Sequence, residues 1–198
     1  GDNLRNNAAY GTAEITEGTI NHLWKMNVGC LDTGEWTGCG WTGQPLVAQW
    51  DAETRAIMNM YEEKKAKDGL VEAVYAKLDG RIHFIDMEDG SQTRDPVFVG
   101  QVFKGSGALD PRGYPIVYLG GGLQRGNQIQ QIYAVSLIDG SILFKLSGSH
   151  PNVPRYWFGF DGGPLVDGET DTLIYAGENG LIYTIKLNTQ YDKAAGTL

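Results

Sequence analysis

The side chains best suited to chemistry are few and scattered. The chain of 198 residues holds three histidines, His22, His83 and His150, and two cysteines, Cys30 and Cys39. No histidine has a second Cys or His at the spacing that a zinc ion requires, so no metal site is expected there. His83 falls in an apolar alternating run and reads as a packed or edge residue. Asp167, Glu169 and Asp171 alternate and could offer oxygens to Ca²⁺. They lack the glycine and the distal glutamate of an EF-hand loop, so a solvated connecting loop is expected. Gly120-Gly121-Gly122 follows an apolar run but leads into Gln and Asn, not into Lys-Ser/Thr and a helix, so it is no phosphate loop. Gly105-Ser106-Gly107 lacks the spacing of a nucleophile elbow. Acidic residues are numerous enough that paired carboxylates for glycoside hydrolysis stay open, but abundance is not evidence. No catalytic residue is assigned.

Cys30 and Cys39 flank eight residues rich in Gly, Thr and Trp. A disulfide closing that loop would suit an oxidising, extracytoplasmic setting; two free thiols are the alternative.

The elements that would position any site are repeats. Arg81–Asp86, Gln131–Ser136 and Leu181–Lys186 align, with Ile82, Ile132 and Ile182 each 50 positions apart. Each run alternates as a half-buried strand does. A strand rich in Val, Ile and Tyr precedes each, at 70–76, 114–119 and 172–176. The links are glycine-bearing: Asp79-Gly80, Gly120 onward, and Gly177 to Gly180. Such links suit tight hairpins. Asp89-Gly90 and Asp139-Gly140 mark a further turn, and 141–146 reads as an outer strand. Gly-containing inner strands lie upstream, at 41–47, 105–109 and 162–166. Four antiparallel strands in roughly 50 residues match a β-propeller blade, and a blade must stack on neighbours to bury its faces.

The fold class predicted is therefore all-β: a single partial propeller of about three blades. Residues 1–40 form an N-terminal segment with an outer strand at 22–28; the blades span 41–100, 101–148 and 149–198. An inserted helix is expected over 51–69, N-capped by Asp51. Ala52, Ala56, Ile57 and Met60 would form its apolar face, and Glu63 would pair with Lys67. The fourth strand of the last blade is not evident. Three blades do not close a ring of ordinary size. The chain is thus expected to be a fragment of a longer protein or to be closed by another chain.

Composition narrows the function classes. Of the residues, 41% are hydrophobic and 20% charged, which suits a globular domain. The net charge of −8 argues against nucleic acid as a partner. The one dense basic stretch, Lys64, Lys65 and Lys67, sits beside Glu62 and Glu63 and reads as a solvated mixed face. No apolar run approaches the ~20 residues of a membrane-spanning helix.

Links between second and third strands should share one end with the links between blades. That end would gather Trp36, Asp79, Arg125, Asn127, Arg155, Trp157, Glu178 and Asn179, with Trp41 and Tyr156 beside them. Aromatics with Arg and polar groups suit a protein, peptide or glycan ligand. The alternative is that the tryptophans pack between blades.

The strand, Gly-rich turn, Ile-Tyr-x-Ile/Val and Asp-Gly pattern resembles the PQQ-binding-like, quinoprotein alcohol dehydrogenase-like propeller repeats over residues 40 to 190. Gly40 to Leu46, Leu109 to Pro115 and Glu169 to Ile174 look like uncharacterised secreted or lipid-anchored propellers of Gram-positive gut bacteria. The resemblance implies a ring of seven or eight blades and an extracytoplasmic location. The repeats depart from the family's Ala-x-Asp-x-x-Thr-Gly-Lys-x-x-Trp signature. Ala134 and Gly140 fit, but Phe144 takes the tryptophan slot of the second repeat and Arg94 that of the first. The adjacent cysteines seen beside PQQ in the alcohol dehydrogenases are absent. A non-catalytic binding or scaffold propeller of the cell envelope, without cofactor, is the expected function. The alternatives are a PQQ- and Ca²⁺-dependent oxidoreductase with its cofactor in other blades, and a structural module that assembles with another chain.

Overall fold

The structure is a computed structural model that describes residues 14, 18, 20–31, 38–40, 42–124 and 126–198. Among these residues the fold is all-β, with fourteen strands in antiparallel pairings and two short helices. A small hairpin pairs β1 (Cys30–Leu31) with β2 (Gly38–Cys39), setting Cys30 opposite Cys39. Cys30 is disulfide-bonded, and Cys39 is the only other cysteine in the sequence.

Three sheets follow. The first runs in chain order through β3 (Leu46–Ala48), β4 (Glu72–Ala76), β5 (Arg81–Asp86) and β6 (Val97–Phe98). The second runs from β8 (Ala108–Leu109) through β9 (Ile116–Leu123) and β10 (Gln131–Ser136) to β11 (Ile142–Ser147). Ahead of it, β7 (Val102–Phe103) pairs with the far end of β9. The third holds only β12 (Leu165–Asp167), β13 (Thr172–Ala176) and β14 (Ile182–Lys186). Each inner strand is shorter than the sequence suggests, because the glycine-bearing stretch before it is not in the ladder. Gly80 and Gly180 turn at φ of 77° and 86°, backbone that side-chain-bearing residues rarely adopt.

The expected link at Gly120-Gly121-Gly122 is instead the last part of strand β9. The reason is close approach. A Cβ on Gly120 would overlap Phe160 and the Tyr175 hydroxyl, and one on Gly122 would overlap Asp161.

Alternation along the strands gives every sheet two apolar faces, and the sheets stack through them. One core joins Val74, Ile82 and Phe84 of the first sheet to Val117, Leu119, Tyr133 and Val135 of the second. Another joins Tyr118, Ile132 and Ala134 of the second to Leu173, Tyr175, Tyr183 and Ile185 of the third. Burying one such aliphatic side chain contributes about 1.5–3 kcal/mol.

Charged groups reinforce the stack. Arg94 is fully buried between the first two sheets. Its Nη2 donates to both Glu72 carboxylate oxygens at 2.9 and 2.8 Å, its Nη1 to the Leu137 carbonyl at 2.6 Å, and it lies 4.4 Å over the Phe84 ring. Trp50 Nε1 and Thr93 Oγ1 also donate to Glu72. Between the second and third sheets, Arg112 donates to Asp110 and to Asp171.

The insert differs from one amphipathic helix. It forms α1 (Ala52–Ile57) and α2 (Glu62–Lys65). Asp51 does cap α1, accepting from the Thr54 amide at 2.7 Å. The buried residues are Thr54, Arg55, Met58 and Met60, whereas Ala52 and Ala56 are exposed. A single helical turn followed by extended chain sets a different face inward. Lys67 does not pair with Glu63; it binds Asp86 and Glu88 at 2.6 Å each. Nor is the basic stretch wholly solvated, because Lys64 is buried against Asp86 at 2.7 Å.

Residues 22–28 belong to no ladder among the described strands. Trp24, Met26 and Val28 nevertheless alternate inward and cover Ala73, Tyr75 and Ile85 of the first sheet. At the other end, residues 187–198 leave β14 and cross back. Leu198 joins the core of the second and third sheets, and Tyr191 meets Tyr114 at 5.0 Å. Lys193 reaches Asp51 and Glu53 of the insert at 2.9 and 3.0 Å. The tail thus straps all three sheets.

Candidate functional site

The β4–β5, β9–β10 and β13–β14 links share one end of the stack with the segments joining successive sheets. Backbone bonds tie them together: Gly100 N–H to Gly80 O at 3.1 Å, Phe160 N–H to Gly121 O at 2.9 Å and Glu178 N–H to Gly159 O at 2.9 Å. At the inner margin of this end, residues 42–44, 104–106 and 161–163 lie side by side. A Cβ on Gly43 would overlap the Gly105 backbone, and one on Gly105 the Asp161 carbonyl. Thr42 Oγ1 donates to the Lys104 carbonyl at 2.8 Å, and Gln44 N–H to Ser106 Oγ at 2.7 Å. Glycine is required here because the segments touch backbone to backbone.

Polar side chains cluster at this margin. Lys104 Nζ binds Asp161 Oδ2 at 2.8 Å. That bond, and then the negative charges of Asp161 and Glu178, raise the Lys104 pKa against a small opposing effect of burial. Asp161 Oδ1 and Glu178 Oε2 are buried and accept from no donor among the described residues. Buried acceptors are rarely left so, and a water or a ligand donor would satisfy them. The adjacent segment 155–159, whose backbone bonds the turn at Glu178 and Asn179, carries exposed aromatic side chains. Arg155 sits 5.5 Å over the Trp157 ring, Tyr156 packs edge-on against Phe158 at 6.3 Å, and both Tyr156 and Trp157 are exposed.

Of the residues proposed from sequence, Glu178 lies in this cluster, and Arg155 and Trp157 lie on the neighbouring segment whose backbone bonds its turn. Asn179 sits beside them but is buried. Its Nδ2 donates to Gly148 O at 2.7 Å and to the Tyr183 hydroxyl at 2.6 Å, and its Oδ1 accepts from the Leu181 amide. It ties its turn to the link between sheets. Asn127 is an exposed turn residue. Asp79 belongs to a second group, in the first sheet's turn. It faces His83 Nε2 at 2.9 Å and Lys77 Nζ at 3.2 Å, and the His83 ring stacks on Tyr75 at 5.4 Å. Burial pushes the Asp79 carboxyl up, but bonds and charge from His83, Arg81 and Lys77 outweigh it and hold it below its usual value. Burial, and then the Asp79 charge, lifts Tyr75 to about 12. Trp36, Trp41 and Arg125 lie outside the described residues.

Lys104 and Asp161 were not singled out from sequence, yet a signal was there. An aromatic, a polar residue and a glycine precede each inner strand: Trp41-Thr42-Gly43, Phe103-Lys104-Gly105 and Phe160-Asp161-Gly162. The polar position of each triplet falls at the shared margin.

Elsewhere, a cleft of about 280 Å³ opens between the second and third sheets, lined mainly by Ile116, Tyr118, Leu143, Phe144, Ile185 and Leu187. It continues the core between those sheets. Among the described residues, no group of three or more His, Cys, Asp or Glu is arranged to hold a metal ion, and no helix is long and apolar enough to cross a membrane.

No family model and no curated protein matches the chain. Among solved structures it is similar to a europium-containing methanol dehydrogenase, at 12% identity and a TM-score of 0.41. The match covers 78% of this chain and 34% of that one, so the chain spans about a third of the dehydrogenase's length. A likeness of this degree assigns neither activity nor cofactor.

Proposed function

We propose that the chain is part of a binding β-propeller, exported to the cell envelope, that takes a glycan at the end where its blade links converge. The observation that carries the reading is the pair of buried acceptors, Asp161 Oδ1 and Glu178 Oε2, which find no donor among the described residues, beside the Lys104 ammonium and next to the segment 155–159 that bears the exposed Trp157 and Tyr156 and whose backbone bonds the Glu178 turn. Sugar hydroxyls donate to carboxylates and accept from an ammonium, while a sugar's apolar face stacks on an aromatic ring. The disulfide at Cys30 supports an oxidising compartment. Three successive sheets of the same strand order support the propeller.

The test is a glycan array followed by calorimetry with the best binder. Trp157→Ala should weaken binding by about ten- to a hundredfold, as loss of a stacked aromatic anchor does, with the thermal midpoint unchanged. Asp161→Asn should also weaken it. An array without hits, or hits that Trp157→Ala leaves intact, would overturn the glycan reading.

A further inference from the structure

Asn179 occupies a repeated position, and the repeat shows what is particular to it. Ala76 pairs with Ile82 in the first sheet as Ala176 pairs with Ile182 in the third, which sets Asp79 against Asn179 and His83 against Tyr183. Asp79 Oδ1 accepts from the Arg81 amide at 3.0 Å, and Asn179 Oδ1 accepts from the Leu181 amide at 3.0 Å. Either side chain closes this turn, as Asp and Asn commonly do. The second polar atom differs. In the first sheet it is an oxygen facing His83 Nε2 and Lys77 Nζ. In the third it is Nδ2, which donates to the Tyr183 hydroxyl at 2.6 Å and to the Gly148 carbonyl at 2.7 Å. An ionised carboxylate has no proton for that carbonyl. The turn would accept aspartate here; the bond to Gly148 requires the amide.

Gly148 begins the segment 148–159, which carries Arg155, Tyr156 and Trp157. The ends of that segment meet, for a Cβ on Gly148 would stand 2.7 Å from the Phe158 carbonyl oxygen. The turn 177–180 holds it at several points. The Asn179 carboxamide takes the Gly148 end. The Asn179 carbonyl accepts from the Arg155 amide at 3.3 Å, and the Glu178 amide donates to Gly159 O at 2.9 Å. Pro154 lies against Gly180. Within the segment, Val153 is buried and its amide turns back to the His150 carbonyl at 3.3 Å. A short surface segment with touching ends, packed by its own side chains, is an Ω-loop.

We infer that Asn179 is the positioning residue of this loop. Its carboxamide holds the loop closed at its base, so that Arg155, Tyr156 and Trp157 form one preset surface before any ligand binds. Asn179 is itself 0% exposed and touches no ligand. A loop already closed binds without the cost of ordering its side chains and backbone. A loop that opens binds more weakly, in proportion to the fraction of time it is closed. The inference rests on the proposed function only for what the surface binds; how the loop is held stands on the bonds of Asn179.

Asn179→Asp provides the test, because the turn at Asp79 shows that this position folds with aspartate, and the variant should keep the native circular dichroism. Arg155 is exposed, but trypsin needs the chain around it to leave its base before it can cut. Cleavage after Arg155, followed by mass spectrometry, should be about tenfold faster in the variant, the ratio expected for one lost buried hydrogen bond, with cleavage at other sites unchanged. On the glycan array, glycans that bind the parent chain should lose signal with Asn179→Asp. In calorimetry with the strongest of them, that loss should not add to the loss from Trp157→Ala, since both act through one surface. Cleavage after Arg155 at the parent's rate would overturn the inference. So would an acceleration shared by all sites, or fully additive losses, because a residue that only stabilises the fold behaves in that way. An empty array would remove the glycan reading instead, and trypsin alone would then decide whether Asn179 holds the loop.

Discussion

Arg94 holds the junction between the first two sheets by packing as well as by charge. It fills the space with its stem, covers Phe84, and reaches the neighbouring sheet through the Leu137 carbonyl. Among the described residues its ion-pair partner is Glu72. Removing it leaves that carboxylate buried and unpaired, so Arg94→Ala should lower the unfolding free energy by about 3–5 kcal/mol in urea titrations. At the same scale, several carboxylates answer acid. For Asp86 and Asp171, burial raises the pKa but is outweighed, by Lys64 and Lys67 in one case and by Thr189 and Arg112 in the other. Asp51 is held at about 2 by the Thr54 amide and Lys193. A depressed folded pKa contributes stability that is complete above the unfolded value, near pH 4, and is lost as pH falls through the folded one. Stability should therefore stay level from about pH 7 to 5 and decline between about pH 4 and 2. A decline that begins above pH 5 would contradict this assignment.

Strand existence was legible in the sequence wherever alternation ran for five or six residues, as in Arg81–Asp86 and its two counterparts. The glycines were less legible, because one residue type serves two ends. At Gly80 it permits a turn; at Gly120 it permits another sheet to come close, and composition alone does not separate the two. The insert was misread at its face because Met58 and Met60 are buried from extended chain rather than from a helix. Asp161 escaped notice because its partner Lys104 is 57 positions away. The contacts of the inner margin predict a contrast. Gly105→Ala forces the Asp161 backbone to move and should cost about 1–3 kcal/mol or more. Gly162→Ala has open space and an ordinary backbone, and it should fall within about 0.5 kcal/mol of the parent. Equal midpoints for the two in thermal melts would show that the segments do not touch as described.

At the scale of the whole molecule, three sheets are held by two apolar cores, two ion-pair junctions and one strap. The cores join only neighbours, as in other repeat stacks, while the strap reaches from the third sheet to the insert of the first. Separate melting of the sheets is the default for a stack, and the strap opposes it. Removing residues 190–198 should broaden the thermal transition or split it, whereas the intact chain should show one transition by both calorimetry and circular dichroism.

The strap also has a consequence for synthesis. Each sheet is assembled from a contiguous stretch, so its strands can pair as they leave the ribosome. The contact of Lys193 with Asp51 spans 142 positions. The insert of the first sheet must therefore wait, unclasped, until the third sheet has been made. During that interval Met58, Met60 and Trp50 rest only on the first two sheets, and a nascent chain stalled before residue 190 should be cut by protease within the insert before anywhere else in those sheets.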